Sequence, residues 1–236
     1  MTTYLLRHAS TCYSATHRVN GDPKVDLSLD PAGRVACRTG GGVVAAVQPG
    51  TWVASAFART SETARLLMGD ADRPIRVEPA LNEVDYGRFE GGPFTKYARW
   101  LVVAGPWAHP PGAAESQRGA VRRMLVGLRG MLHLPSPRVV VAHGLLAAVL
   151  RWRRRTSRDG PGRAMPIFFD EVPCLYLVGI EDDELERLVG TLLDDLAAEE
   201  QETVAAGGWS SRPEDERVLA TFDEPSVQLE ETDSHA

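Results

Sequence analysis

Arg138–Ala142 (RVVVA) constrains the fold of this chain more than any other segment. After its first residue the run is apolar throughout, the pattern of a β-strand covered on both faces. Strands of that kind sit in largely parallel sheets between layers of helix, and the flanking sequence supplies both elements. Tyr4–Leu6, Trp52–Ala54, Ile75–Val77 and Cys174–Ile180 read as the other strands. Asp30-Pro31 reads as an N-cap followed by proline at the first helical position, opening a helix to about Val47, although Gly40-Gly41-Gly42 weakens its middle. Arg59–Met68, Gln117–Leu132 and Gly144–Arg155 are further helices, and the second carries Val121, Met124, Leu125, Leu128 and Leu132 at helical spacing. Residues 78–114 read as loop-rich. Strands alternating with helices predict an α/β three-layer sandwich with a central, mostly parallel sheet and helices on both faces.

A chain of 236 residues with 43% hydrophobic content can bury one sizeable core. The expected organisation is a catalytic domain over residues 1–190 and an acidic, partly disordered C-terminal extension over 191–236. Charge divides unevenly: residues 1–180 hold 23 Lys+Arg and 14 Asp+Glu, residues 181–236 hold 3 and 18. A basic body suits an anionic substrate, and the acidic end reads as a solvated extension. No apolar stretch is long enough to span a membrane, and the N-terminus lacks the basic leader of a signal peptide. Three scattered cysteines, Cys12, Cys37 and Cys174, argue against a disulfide framework or a cysteine zinc site and for a cytoplasmic setting.

In such a sheet the ligand site lies beyond the carboxyl ends of the strands. Four polar clusters fall there. Arg7-His8 follows the first strand and leads into a Ser/Thr-rich loop. Ser55, Arg59 and Thr63-Ala64 follow the second, Glu83 comes shortly after the third, and His143-Gly144 follows RVVVA directly. Histidine offers a nucleophilic nitrogen, arginine a fixed fork of donors for phosphate oxygens, and the carboxylate a proton. Two histidines, two arginines and one carboxylate at strand ends suit phosphoryl transfer through a phosphohistidine.

These segments resemble the histidine phosphatase superfamily, which also contains the cofactor-dependent phosphoglycerate mutases. LLRHASTCYSATHRVNGDPKVDLSLDPAG is similar to the family's opening motif and the loop after it. SAFARTSETA resembles its Ser-x-x-x-Arg-x-x-x-Thr-Ala element, LNEVDYGRFEG its Leu-x-Glu element, PGAAESQ its Pro-Gly-Gly-Glu-Ser stretch and VVVAHG its second-histidine motif. The likeness covers residues 2–150, with a looser continuation to about 190. It implies a phosphoglycerate mutase-like fold and a metal-independent phosphomonoesterase without cofactor, acting on a small phosphorylated metabolite. His8 would be the nucleophile, Arg7, Arg59 and His143 would hold the equatorial oxygens, and Glu83 would protonate the leaving alcohol, with Asp85 a second candidate. Thr11, Ser14, Asn20, Gly21 and Gly144 would line the phosphate and substrate loop. Departures from the pattern bear on activity. Ala9 and Ser14 stand where glycine and asparagine are common, Phe94 stands where the mutases have lysine, and their paired arginines have no counterpart in GPWAHPPGAAESQ. A mutase must hold a second anionic group, so these losses favour hydrolysis.

Three other readings compete. A mutase-like phosphotransferase is the first alternative, and a non-catalytic module binding a phosphorylated ligand the second. The third uses Cys12 and Arg18, five residues apart as in cysteine-dependent phosphatases, but CYSATHR lacks the glycines such a phosphate loop needs. His17, His109, His133 and His235 have no supporting context and no metal-ligand spacing. The basic segment Arg151–Arg163 reads as a solvated helix end, with a rim site for a highly anionic substrate as the alternative. Aromatics are not interleaved with it beyond Trp152, so nucleic acid is not an expected partner, and without a long apolar stretch neither is a membrane. The stretch from Phe94 to Gly112 is expected to act as a specificity loop. Oligomeric state is left open, a homodimer included.

Overall fold

The computed structural model describes residues 1–71, 73–156 and 164–221. Five strands form one sheet: β1 (Thr2–Arg7), β2 (Thr51–Ala54), β3 (Ile75–Val77), β4 (Arg138–Ala142) and β5 (Leu177–Glu181). Their order is β3-β2-β4-β1-β5; the first four run parallel, and β5 runs antiparallel to β1 at the edge. The α-helices are α1 (Cys12–Ala15), α2 (Pro31–Ala45), α3 (Ala58–Met68), α4 (Phe94–Ala104), α5 (Gln117–Gly130), α6 (Gly144–Thr156), α7 (Asp182–Ala205) and α8 (Pro213–Thr221). Among the described residues no helix is long and apolar enough to cross a membrane.

Strand alternation sorts the core into two layers. Leu5, Val53, Val140 and Ala142 face a cluster with Val121, Leu125 and Leu128 of α5, Leu146 and Val149 of α6, and Leu185, Val189 and Leu192 of α7. Leu6, Trp52, Val139 and Val141 face the other way, onto Cys37 and Val44 of α2 and Ala64 and Leu67 of α3. The α/β sandwich with helices on both faces follows from β4 being buried at every position.

Local differences from the sequence reading have physical causes. Residues 78–114 are not loop throughout, because α4 buries Tyr97, Ala98, Leu101 and Val102. The stretch expected to be a specificity loop is therefore largely packed helix, and Gly112 is its contribution to the cleft described below. Cys174 and Leu175 form a turn, with Leu175 at φ 59°, so the last strand starts at Leu177. The Asp30 cap is present, with Gly33 N–H donating to Oδ1 at 2.7 Å, and α2 runs unbroken through its three glycines.

α7 passes without interruption through the boundary expected at 190/191. Leu192 and Leu196 are fully buried. Acidic side chains of this region clasp arginines of the body. Glu199 takes Nε and Nη2 of the buried Arg118 at 2.9 and 3.1 Å, and Asp182 takes Nη1 of the buried Arg138 at 2.8 Å. Arg138 is the polar first residue of RVVVA, and it also donates to Thr3 Oγ1 and to the carbonyls of Leu132 and Leu134. Arg154 pairs with Glu184 at 2.8 Å, Arg155 pairs with Asp170 at 3.1 Å, and Arg151 donates to the carbonyls of Asp170 and Glu171. The arginines of α6 thus tie elements together. Residues 157–163 of that basic segment, and residues 222–236 of the expected extension, lie outside the described residues.

Candidate active site

Parallel register sets the site. β1 and β4 align Arg7 with Ala142, so His8 and His143 leave neighbouring strand ends; His8 N–H donates to the Ala142 carbonyl at 3.0 Å. β2 ends one position short, where Ser55 N–H donates to the Val141 carbonyl at 3.3 Å before α3 begins. Two imidazoles, the Ser55 hydroxyl and Arg59 on the first turn of α3 are thereby brought together, all buried.

The His8 ring has one orientation open to it. Its Nδ1 lies 2.7 Å from the Ala9 carbonyl, which can only accept, so Nδ1 carries the proton and Nε2 the lone pair. Arg59 Nε donates to that Nε2 at 3.1 Å. The backbone behind the ring is held by Thr63, whose Oγ1 accepts from Ala9 N–H at 3.1 Å and donates to the Arg59 carbonyl at 2.7 Å. Burial, helped by the charges of Arg59 and Arg7, holds the His8 imidazole well below its ordinary value of 6.5, so the ring is neutral.

Arg59 is the hub. It lies over the Phe57 ring at 4.1 Å, donates to the Asn20 side-chain carbonyl, and reaches Asn20 O and His143 Nδ1 with Nη2 at 3.2 and 3.1 Å. An arginine cannot accept, so His143 Nδ1 bears the lone pair, and its Nε2–H donates to Ser55 Oγ at 2.9 Å. Burial and Arg59 keep this second ring neutral as well. Arg7 donates to the Val172 carbonyl and to Glu171 at 3.2 Å, while its buried Nε has no partner among the described residues. Gly144 starts α6 directly against it; a Cβ there would stand 3.4 Å from Arg7 Nε.

Glu83 lines a cleft of about 660 Å³ together with Gly21, Asp22, Asn82 and Arg123. Burial pushes its carboxyl above the ordinary 4.5, against the pull of the Val84 N–H, Arg59, Arg7 and Arg123. Asp85, the other carboxylate of the motif, is consumed by backbone: Oδ1 accepts from Gly87 N–H at 2.9 Å and Oδ2 from Ala114 N–H at 2.8 Å.

Of the residues expected to line the phosphate loop, Asn20, Gly21 and Gly144 border the site or its cleft, and Thr11 and Ser14 bond to each other. Thr11 and Ser14 form a reciprocal cap of α1, Ser14 N–H donating to Thr11 Oγ1 at 3.1 Å and Thr11 N–H to Ser14 Oγ at 2.8 Å. Asn20 bridges Arg59 and Glu90, giving Nδ2 to Glu90 Oε1 at 2.7 Å. Gly21 N–H goes to Glu90 Oε2 at 2.7 Å, and a Cβ at Gly21 would lie 1.8 Å from the Val84 carbonyl oxygen. Glu90 and Arg123 were not singled out in the sequence, yet they fix the two strands of backbone beside the cleft. Arg18 donates to the Gly91 carbonyl at 2.5 Å and covers Tyr13, away from any convergence on the exposed Cys12. Among the described residues, no group of three or more His, Cys, Asp or Glu side chains is placed to hold a metal ion.

The sequence pattern of the histidine phosphatase superfamily, branch 1, matches residues 3–186. The chain belongs to the histidine phosphatase superfamily. This histidine phosphatase is 26% identical over 159 residues to a Yersinia pestis protein named as a probable phosphoglycerate mutase, GpmB, covering 62% of the chain and 71% of that relative. Its fold is similar to that of a mycobacterial glucosyl-3-phosphoglycerate phosphatase, at a TM-score of 0.59 and 21% identity over 76% of this chain and 92% of the other. It is likewise similar to an Escherichia coli protein assigned as an alpha-ribazole-5'-P phosphatase, at a TM-score of 0.56 and 21% identity over 65% and 78% of the two chains.

Proposed function

We propose that this histidine phosphatase is a metal-independent phosphomonoesterase that hydrolyses a small phosphorylated metabolite through phospho-His8. The observation that carries the reading is the neutral His8 ring, its proton fixed on Nδ1 by Ala9 and its Nε2 lone pair set against Arg59. A phosphoryl oxygen competing for the Arg59 donors releases that lone pair. Nε2 then forms the bond to phosphorus as the bond to the alcohol oxygen breaks. Arg59 and the unpartnered Nε of Arg7 take the charge gathering on the equatorial oxygens, and His143 buttresses Arg59. Protonated Glu83 gives its proton to the departing alkoxide. In the second step its carboxylate takes a proton from water, the water oxygen bonds to phosphorus, and the P–N bond breaks to return neutral His8 and phosphate.

The names of the structural neighbours support hydrolysis; the name of the Yersinia relative supports a mutase-like transfer, which shares the first half-reaction. Brief turnover of a labelled phosphomonoester in the presence of chelator, quenched in alkali, tests the route. Acid-labile, alkali-stable label on the wild type and on Cys12→Ser, with none on His8→Ala, is the expected result. Label on His8→Ala would overturn it.

A further inference from the structure

Glu83, the proton donor of the proposed route, lines the cleft, so a leaving alcohol that takes its proton lies at the mouth of that cleft and the charges on its walls bear on which alcohols are accepted. At about 660 Å³ the cleft falls within the range of roughly 300–1,000 Å³ usual for small-molecule sites. Two cations line it, Lys24 and Arg123. Arg123 has nothing left to offer a ligand. Its Nε and Nη2 grip Glu115 at 2.9 and 2.5 Å, Nη1 serves the carbonyls of Ala80 and Asn82 at 2.9 Å each, and Nη2 also reaches the Glu83 carbonyl at 3.4 Å. All five guanidinium hydrogens are spent. Lys24 stands exposed at the rim.

Against them the same wall carries Asp22, Asp85 and Glu90. Asp85 accepts from two backbone N–H groups, and Glu90 from the Asn20 amide and the N–H groups of Gly21 and Asp22. Asp22 Oδ1 accepts from Lys24 N–H at 2.9 Å. These donors are neutral, so the carboxylates are satisfied as acceptors without losing their negative charge. Beyond the arginines that receive the phosphate, the leaving-group cleft is therefore negative.

We infer that the substrate's alcohol carries no second anionic group: the cleft is built for a neutral, hydroxyl-bearing leaving group, and it rejects phosphorylated carboxylic acids and bisphosphates. Hydroxyls can donate to the remaining carboxylate lone pairs, whereas a carboxylate or second phosphate brought beside Asp22 and Glu90 meets several like charges against the single exposed ammonium of Lys24, and no guanidinium fork is free. The inference rests on the phosphatase reading, and it separates this chain from mutase chemistry, whose substrates are doubly anionic.

Glycerol 3-phosphate and 3-phosphoglycerate differ only in a CH2OH replaced by a carboxylate, so they isolate the charge. The wild type should favour glycerol 3-phosphate in kcat/KM by about tenfold or more, the effect of one partly screened like-charge contact, carried mainly by KM and shrinking as salt is raised. Asp22→Asn should narrow the ratio by relieving repulsion, and Glu115→Gln should narrow it by releasing the Arg123 fork. Affinities of both esters for His8→Ala, measured by calorimetry, read the same preference without turnover, so a failure of the phosphohistidine route is told apart from a failure of this inference. Equal or better use and binding of 3-phosphoglycerate by the unaltered cleft would overturn it.

Discussion

In the proposed phosphohistidine route, Glu83 and His8 carry opposite protonation demands. Attack needs His8 without its second proton, and burial holds that ring well below 6.5, so the acid limb of kcat/KM lies below pH 6.5. Leaving-group protonation needs Glu83 with its proton, and burial lifts that carboxyl above 4.5, so the alkaline limb lies above pH 4.5. A bell-shaped profile is expected wherever the lowered His8 limb lies on the acid side of the raised Glu83 limb, and Glu83→Gln should lose its alkaline limb and fall by roughly 10²–10⁴-fold on alkyl phosphates, with a smaller loss on aryl phosphates. An alkaline limb that persists in Glu83→Gln would assign it to another group. The histidines, Arg59 and Glu83 were legible because each sits in a short motif at a strand end. Glu90 and Arg123 were not, because most of their partners lie far away in sequence: Glu90 serves the Asn20 amide and the backbone of residues 21–22, and Arg123, besides its pair with Glu115, serves the backbone carbonyls of residues 80–83. A carboxylate or guanidinium that serves backbone leaves no local spacing to detect.

At the level of elements, α4 shows where pattern reading stops. Phe94, Thr95, Tyr97, Trp100, Val102 and Val103 are poor helix formers. The helix exists because Tyr97 and Leu101 fill the core beside Tyr86 and Phe89, a tertiary gain that local propensity does not report. Its end is written more clearly. Gly105 adopts φ 88°, and a Cβ there would fall 2.3 Å from the Trp209 ring, whose Nε1–H donates to the Val102 carbonyl at 3.0 Å. Gly105→Ala should therefore cost about 1–3 kcal/mol from backbone strain alone and lift Trp209 away from α4. Faster hydrogen exchange across α8 with the α5 amides unchanged is the expected signature. Unchanged exchange in α8 would show that the Trp209 contact is dispensable.

Across the whole molecule, the uneven division of charge is resolved by pairing. Among the described residues, the acidic block that begins at Glu181 folds against the basic body through Arg118–Glu199, Arg138–Asp182 and Arg154–Glu184. Net charge along a sequence cannot distinguish a solvated extension from one half of an ion-paired interface, because both read as a block of one sign. The two predict different truncations. Ending the chain at 190 removes the buried Leu192 and Leu196 and the carboxylate partner of Arg118, Glu199, and uncovers the apolar surface of α5 and α6 that they close; losing two buried leucines alone costs on the order of 4 kcal/mol. Chain 1–190 should lose its cooperative thermal transition and chain 1–221 should keep it. A sharp transition in chain 1–190 would place the fold's boundary before α7 ends.

β1 lies inside the sheet, between β4 and β5. The strand that leads into His8 pairs with residues 138–142 and 177–181, both far downstream of it. At 5–20 residues per second, a ribosome takes roughly 10–35 s to supply the second of them. Until residues 138–142 emerge the backbone of Thr2–Arg7 has both edges unpaired, and one edge stays open until residues 177–181 follow, the condition that favours strand addition by another chain. The placement that gives β1 a hydrogen-bonded neighbour on each side in the finished fold also makes it wait for partners supplied much later in the chain.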